Sequence, residues 1–393
     1  MPSTPDFTPV RAAMQRYVDR NLLAGVSHAV LRGRDVIEQH CTGHSDLEAR
    51  TPLRDDHLFR IFSNTKLVTS MAVLLLVEQG RIGLDEPVVN WIPQLANRRV
   101  LRPGATDIED TEPANSHITL RHLLTHSAGL SYGLLDPGTL MFKAYVASRA
   151  RDPRVTLATQ MDRLQPLPLS FHPGTGWEYS VATDVLGHLI ELISGQGLDT
   201  FFNERIFGPL GMADTGFWVP PEQWHRLTAY YAGANLEDPL KPGLTRIDNA
   251  PSRTAYTQRV PGLSGGGGLV SSLPDMLALM RSLLPGGPAL LKPQTLALMM
   301  RNHLPGGQHI GFQQTGVVVG KGFGLGGAVT LAPSSLDPSA STDEFQWGGI
   351  AGTHWWISPR TGLSGLLMTQ RAMGFWHPFA FEFKKLVYAA AAA

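Results

Sequence analysis

Ser63-Asn64-Thr65-Lys66 places a serine three residues ahead of a lysine, at the head of a run that is apolar on nearly every face: Leu67, Val68, Met71, Ala72, Leu74, Leu75 and Val77. A helix over 64–78 with that composition is expected to run buried through the centre of the molecule. Its first turn puts hydroxyl and amine on one face, within hydrogen-bond reach. Burial and the positive end of the helix dipole both disfavour the ammonium form, which makes Lys66 a base and Ser63 an activated nucleophile. The plainer reading is an N-cap serine followed by a solvated lysine. With seven lysines in the chain, an isolated S-x-x-K arises readily by chance, so the motif needs support from elsewhere.

Two other segments supply it. In FHPGTGWEYSVATDVLGHLIE, Tyr179 stands just before a helix N-terminus after a Pro/Gly turn, and Asp184 lies one turn inside that helix. A phenol near Lys66 can relay the serine proton to a leaving group, and Asp184 can orient the lysine; on burial statistics alone Tyr179 would be a core tyrosine. In FQWGGIAGTHWWISP, Trp347-Gly348-Gly349 precedes a strand. Glycines let a backbone approach a ligand closely, and the N–H groups that follow can donate to an oxyanion. Phe345, Trp347, Trp355 and Trp356 suggest an apolar cleft wall, although core packing explains two of them equally well.

These groups need a scaffold. Phe7, Val10, Met14, Val18 and Leu22 recur at helical spacing and predict an amphipathic first helix. Val26–Leu31 and Val36–Cys41 read as a hairpin about Arg32-Gly33-Arg34-Asp35, and Trp355–Ile357 with Leu363–Thr369 as a second about Pro359–Gly362. Phe379, Phe383, Leu386 and Val387 predict a closing helix, with Ala389–Ala393 taken as a frayed tail. Between the ends, RHLLTHSAGL, VATDVLGHLIELISG and LDTFFNERIFGPLGM are helix patterns separated by polar loops such as Arg102–Ser116. The expected architecture is an α+β fold of the α/β sandwich type. Residues 1–80 and 255–393 form a domain with an antiparallel sheet, 81–254 a mainly helical domain, and the active site lies in the cleft between them.

Composition narrows the function. The chain has 393 residues, 33 basic against 33 acidic side chains and 43% hydrophobic content, enough for a sizeable core and leaving no charge footprint for nucleic acid or an anionic membrane. One cysteine, Cys41, excludes an internal disulfide and a Cys-based zinc site. His122 and His126 stand i, i+4, but without the glutamate or carboxylate cluster of a metal site. The N-terminus lacks a secretory pattern, and the apolar run Leu67–Val77 is shorter than the ~20 residues of a membrane span. A cytoplasmic protein with no metal or cofactor, acting on a small molecule, is expected.

Together with DHLFRIFSNTK, GRIGLDEPV, ITLRHLLTHSAGL and GGGGLVSSLPDM, these segments resemble the serine β-lactamase and penicillin-binding-protein superfamily, and within it the family VIII carboxylesterases, which resemble class C β-lactamases. The resemblance spans about residues 7–388. It implies a β-lactamase-like fold, Ser63 as acylated nucleophile, Lys66 and Tyr179 as base and proton relay, and the backbone N–H groups of Ser63 and Ile350 as oxyanion hole. Asp184, Gly348 and Gly349 would support the site, while Tyr132, Trp347 and His354 would line the cleft. Two departures stand out: Tyr179-Ser180-Val181 replaces Tyr-x-Asn, and Trp347-Gly348-Gly349 replaces Lys-Thr-Gly. The amide for a β-lactam side chain and the cation for its carboxylate are both lost, which points to neutral esters; short to medium acyl chains are expected. Alternatives with the same nucleophile are a β-lactamase, a D-aminopeptidase or amide hydrolase, and an acyltransferase; a β-lactam-binding sensor is the non-enzyme alternative.

Several look-alikes are set aside. Ser131 and Ser264 both satisfy G-x-S-x-G, but neither sits between a strand and a helix as a nucleophile elbow requires. Arg360-Thr361-Gly362 mimics Lys-Thr-Gly inside a predicted hairpin turn. Gly322–Gly327 spells a dinucleotide fingerprint, yet polar, Pro-rich sequence follows where a helix must start.

Overall fold

The computed structural model describes residues 5–235, 237–248, 256–312 and 315–392. The first helix, α1, runs Thr8–Asp19 and buries Val10, Met14 and Tyr17 on one stripe. Strands β1 (Gly25–Arg32) and β2 (Asp35–Asp46) follow as a hairpin, with Gly33 in the left-handed region at φ 58°, then the short β3 (Thr51–Pro52). Five more strands come from the far end of the chain: β4 (Lys321–Phe323), β5 (Ala328–Thr330), β6 (Phe345–Gly349), β7 (Thr353–Ile357) and β8 (Leu363–Thr369). They form one antiparallel sheet in the order β4-β5-β6-β7-β8-β1-β2-β3. Both predicted hairpins are present, and the two ends of the chain meet where β1 pairs with β8, Val26 opposite Thr369 and Arg32 opposite Leu363.

β1 is buried almost throughout, so its alternate residues serve two cores. Ala29 and Leu31 face the larger core. That core contains the apolar sides of α2 (Thr65–Glu78), α3 (Ala182–Ser194) and α4 (Leu273–Ser282). Val26 and Val30 face the smaller one, closed by α1 and by α5 (Pro378–Ala392) through Met14, Phe379 and Phe383. α2 is buried from Thr65 to Leu76, as its composition demands.

Three local expectations change. The terminal alanines continue α5 as far as Ala392, and Ala390 packs into the smaller core; alanine is the best helix former, and here the helix had a face to rest on. RHLLTH forms only a short helix, Leu120–Leu124, because His126 takes a left-handed φ of 56° and stops it. The polar stretch 102–116 contains a strand, Thr111–Pro113, paired with Arg99–Leu101 without any alternating apolar pattern to announce it. The anticipated domain limit at 254/255 lies outside the described residues. All strands of the large sheet nevertheless come from before residue 53 or after residue 320. No helix of the described residues is long and apolar enough to cross a membrane.

Candidate active site

Ser63 sits in a single 3-10 turn, Phe62–Asn64, that runs directly into α2. Phe62, just before it, has φ 41°, a left-handed conformation that costs a bulky residue energy and persists only where packing enforces it. Its ring lies 5.5 Å from that of Tyr230 and 6.0 Å from that of Tyr256.

The three sequence-derived groups converge. Tyr179 donates to Ser63 Oγ at 2.7 Å, and Lys66 Nζ lies 3.4 Å from the same oxygen. Lys66 also donates to the Gly266 carbonyl at 2.6 Å, and its Nζ stands 4.6 Å over the Tyr179 ring. Lys66 is fully buried, and desolvation pulls its pKa below the ordinary lysine value; Tyr132 and Asp184 oppose that shift and Arg151 adds to it. Burial pushes the Tyr179 phenol up, while its hydrogen bonds with Ser63 and Trp347 pull the other way. Environment therefore drives the two groups apart, the amine toward its neutral basic form and the phenol toward its protonated donor form. His126, buried beside Tyr179 with ring centroids 4.8 Å apart, is held neutral by desolvation and accepts from the Ser180 N–H at 3.2 Å.

Asp184 acts partly at one remove. Its Oδ1 accepts from Ser264 Oγ at 2.5 Å and from the Gly266 N–H at 3.0 Å, so it fixes the loop whose Gly266 carbonyl holds Lys66. Asp184 thus acts on the lysine through this loop as well as by direct charge attraction, and Ser264 has a role its G-x-S-x-G context did not reveal. The glycines here are steric: a Cβ on Gly265 would come within 2.6 Å of the Thr183 carbonyl.

Gly348 and Gly349 permit the close approach predicted for them, but toward protein. A Cβ on Gly349 would lie 2.5 Å from the carbonyl of Ile61, two residues before Ser63, and one on Gly348 would lie 2.7 Å from His354 Nδ1. Strand β6 can thus press against the segment that carries Ser63, which brings Ile350 to the same cavity wall. That cavity, about 1110 Å³, is lined by Ser63, Tyr132, Tyr179, Trp347 and Ile350 among others. Trp347 Nε1 donates to the Tyr179 hydroxyl at 3.4 Å, and the Tyr132 ring stacks on that of Tyr179 at 5.4 Å.

His354 is not among the lining residues; it packs against Phe375, and desolvation lowers its pKa to about 4. Strand alternation turns it away from the cavity. Phe345 and Trp355 pack on each other in the larger core and Trp356 against Phe383 in the smaller, leaving Trp347 as the cavity aromatic of the four. Phe312, Tyr256 and Arg151 line the cavity as well, and no local pattern announces them: Tyr256 and Arg151 arrive from loops and Phe312 from a two-residue strand, all distant in sequence from Ser63. Ser131 is buried and its N–H is engaged by the Tyr145 hydroxyl. Gly322–Gly327 spans β4 and the turn into β5, and Arg360–Gly362 the turn between β7 and β8. No group of three metal-ligating side chains exists among the described residues.

A family model described as Beta-lactamase matches residues 10–380. The chain belongs to the beta-lactamase family. Among similar proteins, Esterase EstB of Burkholderia gladioli is 35% identical over 378 residues, covering 93% of this chain and 91% of EstB. The lovastatin esterase of Penicillium rubens is 33% identical, over 81% of this chain and 80% of its own. Of solved structures, EstCE1, "a hydrolase with promiscuous acyltransferase activity", superposes with a TM-score of 0.78 at 28% identity, covering 96% of this chain and 97% of EstCE1.

Proposed function

We propose that this beta-lactamase family member is a serine hydrolase that cleaves carboxylic esters through an acyl-Ser63 intermediate. One observation carries the reading: a serine hydroxyl bonded to a buried phenol at 2.7 Å, with a buried amine at 3.4 Å, opening into a cavity walled in part by aromatic rings. Lys66, held toward its neutral form, takes the Ser63 proton as Oγ attacks the ester carbonyl. The Ser63 and Ile350 N–H groups receive the oxyanion. Tyr179 gives its proton to the departing alkoxide and recovers one from Lys66, and water then hydrolyses the acyl-enzyme by the same route. Asp184, through Gly266, positions Lys66, while Tyr132 and Trp347 hold the substrate. The cleft between a sheet-bearing part (1–80, 255–393) and a helical part (81–254) would house the reaction. A cytoplasmic location and short to medium acyl chains complete the proposal, and the names of EstB and the lovastatin esterase support ester cleavage itself.

Transfer of the acyl group to an alcohol is the second reading, favoured by kinship with acyltransferase calJ of Penicillium decumbens, 29% identical over 92% of this chain. The test is hydrolysis of p-nitrophenyl butyrate and nitrocefin by wild type and Ser63→Ala. Ester cleavage should be fast and fall by at least about 10³-fold in the variant, in line with losing a covalent nucleophile, with nitrocefin slow or inert. Ester turnover surviving in Ser63→Ala removes the nucleophile assignment; nitrocefin turnover matching the ester makes this a lactamase. Added methanol that raises nitrophenol release while yielding methyl butyrate would establish transfer.

A further inference from the structure

The cavity contains a cation with no carboxylate to answer it. Arg60 is paired with Asp248 at 2.9 Å, Arg246 with Asp248 and Asp46 at 2.8 and 2.7 Å, and Arg154 with Asp152 at 2.8 Å. Arg151, half-buried in the same cavity, has no ion pair among the described residues, and none of the remaining residues is acidic. Of the other carboxylates on the wall, the buried Asp152, next to it in sequence, already serves Arg149, Arg154 and Arg163 at 2.9, 2.8 and 3.8 Å, and Asp184 accepts from Ser264 and the Gly266 N–H. The turn that carries Arg151 is pinned, with Gln160 Nε2 and the Gly262 N–H donating to the carbonyls of Asp152 and Pro153. The guanidinium lies over the Tyr132 ring instead, its Cζ 4.2 Å from the centroid, to which Lys66 Nζ stands at 5.4 Å. An unpaired, pre-positioned guanidinium in a partly desolvated cleft is a receptor for a planar anion.

We propose that Arg151 is a specificity determinant that binds a carboxylate carried by the substrate, so that the preferred esters are monoanionic, with a free carboxylate a short chain away from the scissile carbonyl across Tyr132. This rests on the esterase reading and revises the neutral-ester expectation. That expectation followed from the missing Lys-Thr-Gly lysine; the cation is returned here by a different loop.

The test compares two matched pairs at pH 7: p-nitrophenyl hydrogen adipate with its N-methylamide, and 4-acetoxybutanoate with its N-methylamide, each corrected with Ser63→Ala. The first pair puts the anion on the acyl side, the second on the alcohol side. Wild type should favour the anion at least about tenfold in kcat/KM in one pair, mainly through KM. Arg151→Gln should bring that ratio close to one and Arg151→Lys should retain part of it. Because the ratio is taken within each variant, a general loss of activity cancels. Ratios near one for wild type in both pairs, or a preference undiminished in Arg151→Gln, overturn the proposal while leaving the esterase intact. Absence of Ser63-dependent cleavage of all four esters overturns the esterase reading itself.

Discussion

Lys66 illustrates how a single residue can be set by competing terms. Its amine is held down by desolvation, and the dipoles and charges around it only partly compensate. A lysine with a lowered folded-state pKa binds fewer protons folded than unfolded, so between that value and the ordinary one stability rises with pH. Lys66→Met, similar in volume and without the charge, should therefore raise the urea midpoint at pH 7 and flatten its dependence on alkaline pH. It should also lower kcat for p-nitrophenyl butyrate by about 10²–10⁴-fold, the usual worth of a general base. Glu178, next to Tyr179, shows the opposite sign. Burial pushes its carboxyl up to about 7, nearby Asp136 adds to the rise, and the hydroxyls of Ser131 and Ser170 oppose it. The folded chain then holds a proton that the unfolded chain releases, so stability falls as pH rises from about 4.5 toward 7. Glu178→Gln should remove that slope from urea melts collected between pH 5 and 8.

At the scale of elements, the site depends on how β6 meets the turn that carries Ser63. Gly349 allows the contact with the Ile61 carbonyl, and the Thr353 hydroxyl reaches the same oxygen at 3.4 Å. Gly349→Ala inserts a methyl group where there is no space. The strand must retreat, carrying the Ile350 N–H with it, and kcat should fall by about 10²–10³-fold, the cost of a displaced oxyanion donor. The stability loss should be smaller, about 1–3 kcal/mol for overpacking. Measuring kcat beside the urea midpoint separates the two, and a kcat close to wild type would detach Ile350 from the reaction. The S-x-x-K turn, Tyr179 ahead of its helix and the two terminal hairpins were all legible from spacing alone. The position of His354 was not, because strand alternation about a glycine pair decides which side chain faces the cavity.

Across the whole molecule, the two chain ends are joined by the β1–β8 ladder and covered by α1 and α5, whose core residues do not line the cavity. Phe383 is fully buried there, its ring 5.5 Å from Trp356 and 5.2 Å from His28. Phe383→Ala should cost about 3–5 kcal/mol, as large-to-small changes in well-packed cores do, read as a lower urea midpoint. The folded fraction should keep the wild-type kcat, because the smaller core contributes nothing to the cavity wall; a kcat that falls with the midpoint would show that the terminal layer reaches the site.

The local code determined what depends on short-range chemistry: an apolar helix that must be buried, a serine and lysine one turn apart, hairpins at Gly-containing turns, and the residue types of a nucleophile, a base and a phenol. Packing, by contrast, settles the pairing of groups far apart in sequence. Asp184 braces the Gly266 carbonyl that meets Lys66 in a loop some eighty residues downstream, Ser264 is a brace for that loop, and Arg151 has no ion-pair partner among the described residues while Asp152 is shared by three other arginines. The physical reason is that periodicity and spacing fix direction along one element. Which charge remains unpaired, and which carbonyl a lysine meets, is fixed only when the elements pack.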